Sequence, residues 1–190
     1  VIPNTFFKRF NARVTATNQL FKGFTLTNTL AYTHTKNRKA FRGSGGFMFN
    51  LMLWPLDDDI RQYEDEKGNR RILADDGGAI TIDNPLWDTK YNRNEDVLDR
   101  YIYNIAANSD INKWLNVTGR FGMDHYQQFG QYMYAKYDVT NTLTGARTIY
   151  PGFMEYHNQR FLSKNGTIIA TAKHDFAKWL HATLRIGKSE

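Results

Sequence analysis

Carboxylates and histidines are the residues of this chain that could bind a metal ion or transfer a proton. Two acidic clusters occur, Asp57-Asp58-Asp59 and Asp75-Asp76, and a hard cation such as calcium prefers carboxylate oxygens. Neither cluster has the ligand spacing of a helix–loop–helix calcium site, so solvated acidic loops are the simpler interpretation. The five histidines (34, 125, 157, 174 and 181) form no i, i+4 pair and no His-Glu-x-x-His motif. The sequence therefore predicts no metal site.

Residues for covalent catalysis are also missing from the sequence. The chain has no cysteine, and no serine lies in a Gly-x-Ser-x-Gly turn. The segment Gly43-Ser-Gly-Gly46 lacks the Gly-Lys-Ser/Thr ending of a phosphate-binding loop and predicts a plain flexible loop. We therefore expect no enzyme activity and no cofactor. The net charge of +6 raises the question of nucleic-acid binding, but the basic residues are scattered and no recognition motif accompanies them, so none is predicted.

Aromatic residues make up 15% of the chain and fall into two groups. Trp114 and Trp179 each follow a lysine at the start of an alternating segment, which is typical of an anchor at a membrane interface, although such rings also stack on sugars or bases. A second group lies in long irregular segments and has polar neighbours. These rings could form a platform for an oligosaccharide or a peptide, or could pack the loops together: Trp54, Tyr63, Trp87, Tyr132, Tyr134 and Tyr150.

A repeated pattern indicates which elements hold these residues. The segments Asp110–Gly122 and Asp175–Gly187 are nearly the same, and each passes from a short polar turn through Lys-Trp-Leu into strict alternation. In the first copy, one side has Leu115, Val117, Phe121 and Met123, and the other has Asn116, Thr118, Arg120 and Asp124. A period of two over about ten residues is typical of a strand that crosses a bilayer in a barrel wall.

The same reasoning along the whole chain predicts six strands in three hairpins. They lie near 9–20, 24–35, 99–109, 115–126, 160–173 and 180–187, with long loops at 36–98 and 128–159. The apolar segment Phe47–Trp54 predicts a short helix inside the first loop. The predicted fold class is all-β, an antiparallel transmembrane β-barrel segment in which residues 1–190 form part of a barrel with long extracellular loops.

Two further arguments favour a membrane-spanning sheet over a soluble one. No apolar segment of about 18 residues is present, which excludes a helical span, whereas a mean hydropathy of −0.60 suits strands that offer half their residues to lipid. A soluble β-sandwich would have turn signals every 8–12 residues, which loops of about 60 and 30 residues fit poorly. Because six strands would leave two unpaired edges in hydrocarbon, we expect the remaining strands to come from the same polypeptide.

One stretch of the chain resembles a known family. Asn84-Pro-Leu-Trp87, Asn92-Arg-Asn-Glu-Asp96, Asp99-Arg100 and the Lys-Trp-Leu turn with the following Arg-x-Gly-x-Asp124 are similar, in this order, to the middle of a SusC/RagA-type TonB-dependent outer-membrane transporter. The resemblance covers residues 84–126 and extends more loosely over residues 5–190. The combination of these motifs is fairly specific, whereas each one alone is weak.

The resemblance implies a 22-stranded barrel with an N-terminal plug in the outer membrane of a Gram-negative cell. It also implies energy from the TonB complex, a SusD-like surface lipoprotein as a cap, outer-membrane lipid around the wall, and an oligosaccharide or peptide as the imported substrate. Asn84, Pro85 and Trp87 are then expected in an extracellular loop, with no substrate contact transferred to them. A non-transport barrel for adhesion or secretion and a soluble carbohydrate-binding β-domain remain as alternatives.

Overall fold

The computed structural model describes residues 2–66, 68–74, 81–140 and 147–190. Six long strands dominate the described chain, and two short helices and two small hairpins lie between them. The elements in chain order are β1 (Phe6–Phe21), β2 (Phe24–Arg38), α1 (Phe47–Leu53), β3 (Ile72–Ala74), β4 (Thr81–Asp83), α2 (Pro85–Tyr91), β5 (Arg93–Asp110), β6 (Leu115–Tyr134), β7 (Tyr137–Thr140), β8 (Arg147–Tyr150), β9 (Phe153–Ala177) and β10 (Leu180–Ser189).

The six long strands form one sheet in the order β1-β2-β5-β6-β9-β10, in which each long strand pairs with the next long strand of the sequence. Within the described residues the sheet is open, with β1 and β10 at its edges. The antiparallel all-β class predicted from the alternation is confirmed. The short pairs β3–β4 and β7–β8 form two separate hairpins. In the described part of the chain, no helix has the length and apolar composition that crossing a membrane requires.

The observed strands extend further than the ranges given by the alternation. β5 begins at Arg93 instead of 99, β6 continues to Tyr134 instead of 126, and β9 begins at Phe153 instead of 160. The predicted loops 36–98 and 128–159 are correspondingly shorter, and they contain α1, α2 and the two small hairpins. The physical reason is that backbone hydrogen bonds maintain a strand where its side chains no longer alternate in polarity. The expected helix at Phe47–Trp54 is present as α1.

Packing divides the chain into two units, which we describe separately. Unit 1 consists of Val1–Lys8, Thr35–Val97 and Phe129–Asn158. Unit 2 consists of Arg9–His34, Leu98–Gln128 and Gln159–Glu190. Unit 1 contains both helices, both small hairpins and some residues of the long strands. Unit 2 consists of the remaining residues of the long strands and the short turns that join them.

In unit 2 the polar side chains of neighbouring strands meet on one face of the sheet. The hydroxyl oxygens of Thr15 and Thr29 lie 3.1 Å apart across β1 and β2. The Asn108 amide of β5 donates to the Thr118 hydroxyl of β6 at 3.0 Å. Between the same two strands, the Arg100 guanidinium binds both carboxylate oxygens of Asp124. We call this side of unit 2 the polar face.

The opposite side of unit 2, which we call the apolar face, is defined by contacts that pass from strand to strand. The Tyr32 ring lies 5.0 Å from the Tyr101 ring, and the register pairs Leu184 with Ala172 and Ile186 with Ala170. Large side chains of this face that are at least 40% exposed include Phe10, Val14, Leu20, Leu30, Tyr101, Phe121, Ile168, Leu180, Leu184 and Ile186. A shallow groove on this face joins Ile105, Ala107 and Phe121 to Ile168.

Several polar groups interrupt the apolar face, and their side chains bind one another. The Tyr32 hydroxyl donates to Asp99 at 2.6 Å, and the same carboxylate oxygen lies 2.9 Å from His34 Nδ1. The Tyr103 hydroxyl donates to Asn28 Oδ1 at 3.2 Å. The sequence pattern placed Tyr32 on this side but gave no signal for its polar neighbours.

Unit 2 has no core of its own in the described part of the chain, where every buried hydrophobic side chain belongs to unit 1. Covering ten half-exposed large apolar side chains is worth on the order of 10 kcal/mol, which is comparable to the whole stability of a domain. A single-layer sheet with one apolar and one polar face therefore requires an apolar covering on one side only.

Candidate functional site

Unit 1 contains the predicted substrate residues, and its buried side chains determine which of them are accessible. Phe47, Trp54 and Trp87 are the buried hydrophobic residues of the described chain, and Arg70 is buried with them. We call these four residues the loop core. Phe47 is the first residue of α1, and Gly46 precedes it as the N-cap. Position 46 requires glycine because a Cβ atom on that residue would lie 2.5 Å from the Phe41 carbonyl oxygen.

Trp87 is positioned by the start of α2. Asn84 is fully buried, and its side-chain oxygen accepts hydrogen bonds from Leu86 N at 2.9 Å and Trp87 N at 3.4 Å. Pro85 begins the helix, where its missing N–H costs nothing. The Asn84 amide also donates to the Ile60 carbonyl at 2.8 Å, which attaches α2 to the preceding loop. The Asn-Pro-Leu-Trp motif thus has a structural explanation within this chain.

Arg70 packs against Trp87 within the loop core. Its guanidinium carbon lies 4.4 Å from the centre of the Trp87 ring and 4.5 Å from the centre of the Tyr137 ring. One terminal nitrogen pairs with Asp83 at 2.6 Å, so the buried charge has a counter-ion. Planar guanidinium groups stack on aromatic faces in a way that a lysine ammonium cannot reproduce. Arg70 therefore joins α2 to both small hairpins.

Part of the predicted acidic loop forms ion pairs. Asp58 binds the Arg71 guanidinium, which also lies 5.8 Å from the centre of the Trp54 ring. Asp59 accepts from Arg61 at 2.9 Å, and this hydrogen bond holds the pKa of Asp59 below its ordinary value. Within the described ranges, no group of three acidic or histidine side chains is arranged to hold a metal ion. The second predicted cluster, Asp75-Asp76, lies outside the described residues.

A buried carboxylate in the middle of α2 binds the side chain of Asn92, the residue at which the helix ends. Asp88 lies in α2, and its Oδ1 accepts from the Asn92 amide, whereas Oδ2 is buried without a hydrogen-bond partner in the described residues. Burial raises the pKa of Asp88 above its ordinary value, and the Asn92 hydrogen bond and nearby Arg70 oppose that shift. Asn92 Oδ1 also accepts from Ala135 N at 2.8 Å, which connects this helix end to the residue after β6.

The six loop aromatics predicted as a substrate platform differ in accessibility. Trp87 and Trp54 are 4% and 6% exposed, so in this conformation both rings pack the loops together. Tyr63 lies beneath the Lys90 ammonium, which is 4.7 Å from the ring centre and donates to the Tyr63 hydroxyl. Tyr132 packs 5.4 Å from the His157 ring. The first two residues therefore favour the packing interpretation of these aromatics.

Tyr134 and Tyr150 remain the most accessible of the six. Tyr134 contacts the Phe41 ring at 4.7 Å, and Tyr150 stacks on Tyr137 at 4.6 Å, yet each tyrosine is more than 40% exposed. A partly covered ring with one open side can still stack on a sugar ring or a peptide side chain. Of the predicted substrate contacts, these two residues fit that role best.

Two concave surfaces in unit 1 could hold a ligand. A polar cleft of about 270 Å³ is lined by Asn69, Arg70, Tyr91, Lys136 and Tyr137, among others. It combines aromatic edges with cationic and amide groups, a composition that suits a sugar or a carboxylate-bearing peptide. A second groove of about 530 Å³ is more apolar and is lined by residues 6–7, 37–43 and 46–49 together with Ile2 and Thr5.

The structural roles of Arg70, Arg71 and Asn84 were not predicted from the sequence. Arg70 and Arg71 are adjacent in the sequence, whereas their side-chain partners lie up to 67 residues away along the chain. The Asn-Pro pair at the start of α2 was a recognisable helix-start signal. It could have predicted both the helix and the capping role of the Asn84 side chain.

The predicted anchors Trp114 and Trp179 lie in the short turns of unit 2. Both indole rings are exposed, at 54% and 82%, and each follows a lysine, Lys113 or Lys178. The chain around Trp114 is fixed because Asn112 Oδ1 accepts from Trp114 N at 3.0 Å and from Leu115 N at 2.8 Å. Each ring thus projects from the end of a hairpin.

No protein-family model matches this chain, and no curated protein is significantly similar to it.

Proposed function

We propose that this chain forms part of the wall and the extracellular loops of an outer-membrane active importer. The observation that supports the proposal most directly is the two-sided sheet of unit 2, whose apolar face is uncovered while its polar face is internally hydrogen-bonded. In a barrel wall the apolar face contacts lipid and the polar face borders an aqueous interior. A soluble carbohydrate-binding domain would need a second protein layer over the apolar face.

The connections between strands support the same proposal. Short turns join β1 to β2, β5 to β6 and β9 to β10, and long segments with helices and hairpins follow β2 and β6. Outer-membrane barrels have short turns at the periplasmic side and long loops outside. Unit 1 would then contribute to the outer surface, where a substrate and a SusD-like lipoprotein arrive.

The importer class rests on the resemblance of residues 84–126 to SusC/RagA-type TonB-dependent transporters. On that basis the substrate is a glycan or an oligopeptide, energy comes from the TonB complex, and the surrounding strands and the plug belong to the same polypeptide. A barrel that serves adhesion or secretion is the competing function, because its wall would have the same two faces.

Uptake measurements separate these functions. Cells with and without the complete polypeptide are given a fluorescent oligosaccharide or oligopeptide, and surface binding and internal accumulation are measured before and after the proton-motive force is collapsed. An importer accumulates label only while the force is present and retains surface binding without it. Surface binding without any energised accumulation would instead identify an adhesion barrel.

A residue-level test concerns the two accessible tyrosines. Replacing Tyr134 or Tyr150 with alanine removes an exposed ring, and we expect about twofold to tenfold weaker substrate capture, since one aromatic contact is worth about 0.5–1.5 kcal/mol. The control is Tyr156→Ala in β9, which removes another exposed tyrosine of unit 1. Equal capture by all three variants would remove these tyrosines from the proposed site.

A further inference from the structure

In each of the three short turns of unit 2, a lysine lies next to an aromatic residue. Lys22 lies between Phe21 and Gly23-Phe24, Lys113 precedes Trp114, and Lys178 precedes Trp179. All three lysines are exposed, and so are Phe21, Trp114 and Trp179. We call these six residues the lysine edge.

Backbone hydrogen bonds hold the three turns side by side at one end of the strands, and 'edge' refers to this end of the sheet and not to its outer strands. Asp110 N, at the end of β5, donates to the Gly23 carbonyl at 2.7 Å. Lys173 N, near the end of β9, donates to the Trp114 carbonyl at 2.8 Å. Gly23 has a φ of 82°, and a Cβ atom there would lie 3.1 Å from the Asp110 oxygen, so the first turn depends on glycine.

The charge of this edge is positive. The turns and the adjoining strand ends contain Lys22, Lys113, Lys173 and Lys178, whereas Asp110 and Asp175 are the acidic residues there. Both aspartates have partners other than these lysines. Asp110 accepts from the Asn116 amide at 2.8 Å, and Asp175 lies 2.5 Å from the His181 ring nitrogen. Four lysines against two aspartates leave this edge with an excess of positive charge.

We propose that the lysine edge binds the phosphate groups of anionic phospholipids in the membrane leaflet that it faces. This inference rests on the proposed function, because it requires the sheet to lie in a bilayer. An exposed ammonium attracts a phosphodiester, while the adjacent aromatic ring occupies the interfacial layer between headgroups and acyl chains. Anionic lipid rather than free phosphate is the ligand, since each lysine is paired with a ring that has no role in binding an inorganic ion.

Spin-label experiments test this inference on the complete polypeptide. The protein is reconstituted into phosphatidylcholine vesicles that contain traces of spin-labelled phosphatidylglycerol or spin-labelled phosphatidylcholine. Electron paramagnetic resonance then measures how much of each lipid is motionally restricted by the protein. We expect a preference for phosphatidylglycerol of about fivefold or less per lysine site, which falls as salt is added.

The variants decide whether the lysine edge causes that preference. The triple variant K22Q/K113Q/K178Q should lose most of the preference, and the matched variant K22R/K113R/K178R should retain it because the positive charges remain. An unchanged preference in the glutamine variant would overturn the inference. If that variant fails to fold, a wild-type preference that does not decrease with salt overturns it equally.

The same experiment distinguishes failure of the inference from failure of the proposed function. If the protein restricts the motion of both lipids equally, the result contradicts only the proposal that the lysine edge binds anionic lipid. If neither lipid shows a restricted component, no part of the sheet contacts a bilayer, and the membrane-wall proposal itself is wrong.

Discussion

Arg70 shows how much a single residue contributes to unit 1. Its guanidinium lies against Trp87 and Tyr137 and pairs with Asp83, so it fills the space between α2 and both small hairpins. Arg70→Lys keeps the charge but loses the planar stacking, and we expect α2 to open more easily by about 2–3 kcal/mol. Hydrogen exchange of the α2 amides measures this free energy.

The matched substitution Arg61→Lys serves as the control for Arg70→Lys. Arg61 binds Asp59 at the surface, with its side chain 82% exposed, so this substitution should have little effect on stability. Equal effects of the two substitutions would mean that the stacked geometry of Arg70 contributes nothing to stability.

The buried Asp88 makes the stability of α2 depend on pH. Because burial raises its pKa, the folded state binds the Asp88 proton more tightly than the unfolded state does. Stability of α2 therefore falls as pH rises from about 4 through the raised pKa. Asp88→Asn keeps the oxygen that accepts from Asn92, and it should remove this fall. Protection factors of the α2 amides, measured across that pH range, test the prediction.

Asp59→Asn is the control for the pH profile. The pKa of Asp59 is lowered by Arg61, so Asp59 contributes a small stabilisation that is lost as pH falls, the opposite sign to Asp88. Identical profiles for Asp88→Asn and the unchanged protein would show that Asp88 does not titrate with folding.

Among the elements, β6 shows most clearly what the sequence could predict. The alternation of Leu115 and Val117 with Asn116 and Thr118 identified the strand, and the contacts of Asn108 and Asp124 place these polar residues on one face. The continuation of β6 to Tyr134 was not predicted, because its later residues are aromatic or polar on both faces. The alternation of polar and apolar residues cannot locate the end of a strand that is maintained by backbone hydrogen bonds.

Two of the three glycines of β6, Gly119 and Gly122, provide an element-scale prediction. A Cβ atom at Gly122 would lie 2.2 Å from Asn165 and 2.9 Å from Asn104, whereas Gly119 has nothing within 4 Å. Gly122→Val should be the more destabilising of the two, because the Asn165 and Asn104 side chains must move away from the new side chain. Gly119→Val should be neutral or stabilising because valine favours strands. Urea unfolding in vesicles measures both, and a reversed order of the two variants would contradict the observed faces.

The helices illustrate the limit of local reasoning in unit 1. The apolar segment of α1 was recognised in advance, but α2 was not, although Asn84-Pro85 begins it. The burial of Trp54 and Trp87 depends on Arg71 and Arg70, whose position relative to them is set by tertiary packing. For that reason the sequence left the packing and substrate interpretations of these tryptophans equally open.

For the whole molecule, a single charged substitution separates a lipid covering from an aqueous one. Phe121→Arg should destabilise the protein by about 2–4 kcal/mol if this position lies near the bilayer midplane. Thr118→Arg introduces the same side chain on the polar face and should cost much less. Folding free energies in vesicles, from tryptophan fluorescence during urea titration, give the comparison. Equal losses of folding free energy at the two positions would contradict the proposal that lipid covers one face and water the other.

The central claim is that lipid covers one face of this sheet and water the other, and single nitroxide labels along β6 test it most directly. The chain has no cysteine, so one introduced at each of positions 115–124 in turn can be labelled specifically. In reconstituted protein, labels in place of Leu115, Val117, Phe121 and Met123 should be accessible to oxygen, and their neighbours to a water-soluble nickel complex. Shielding of the first set from both reagents, as by a second protein layer, would contradict the account.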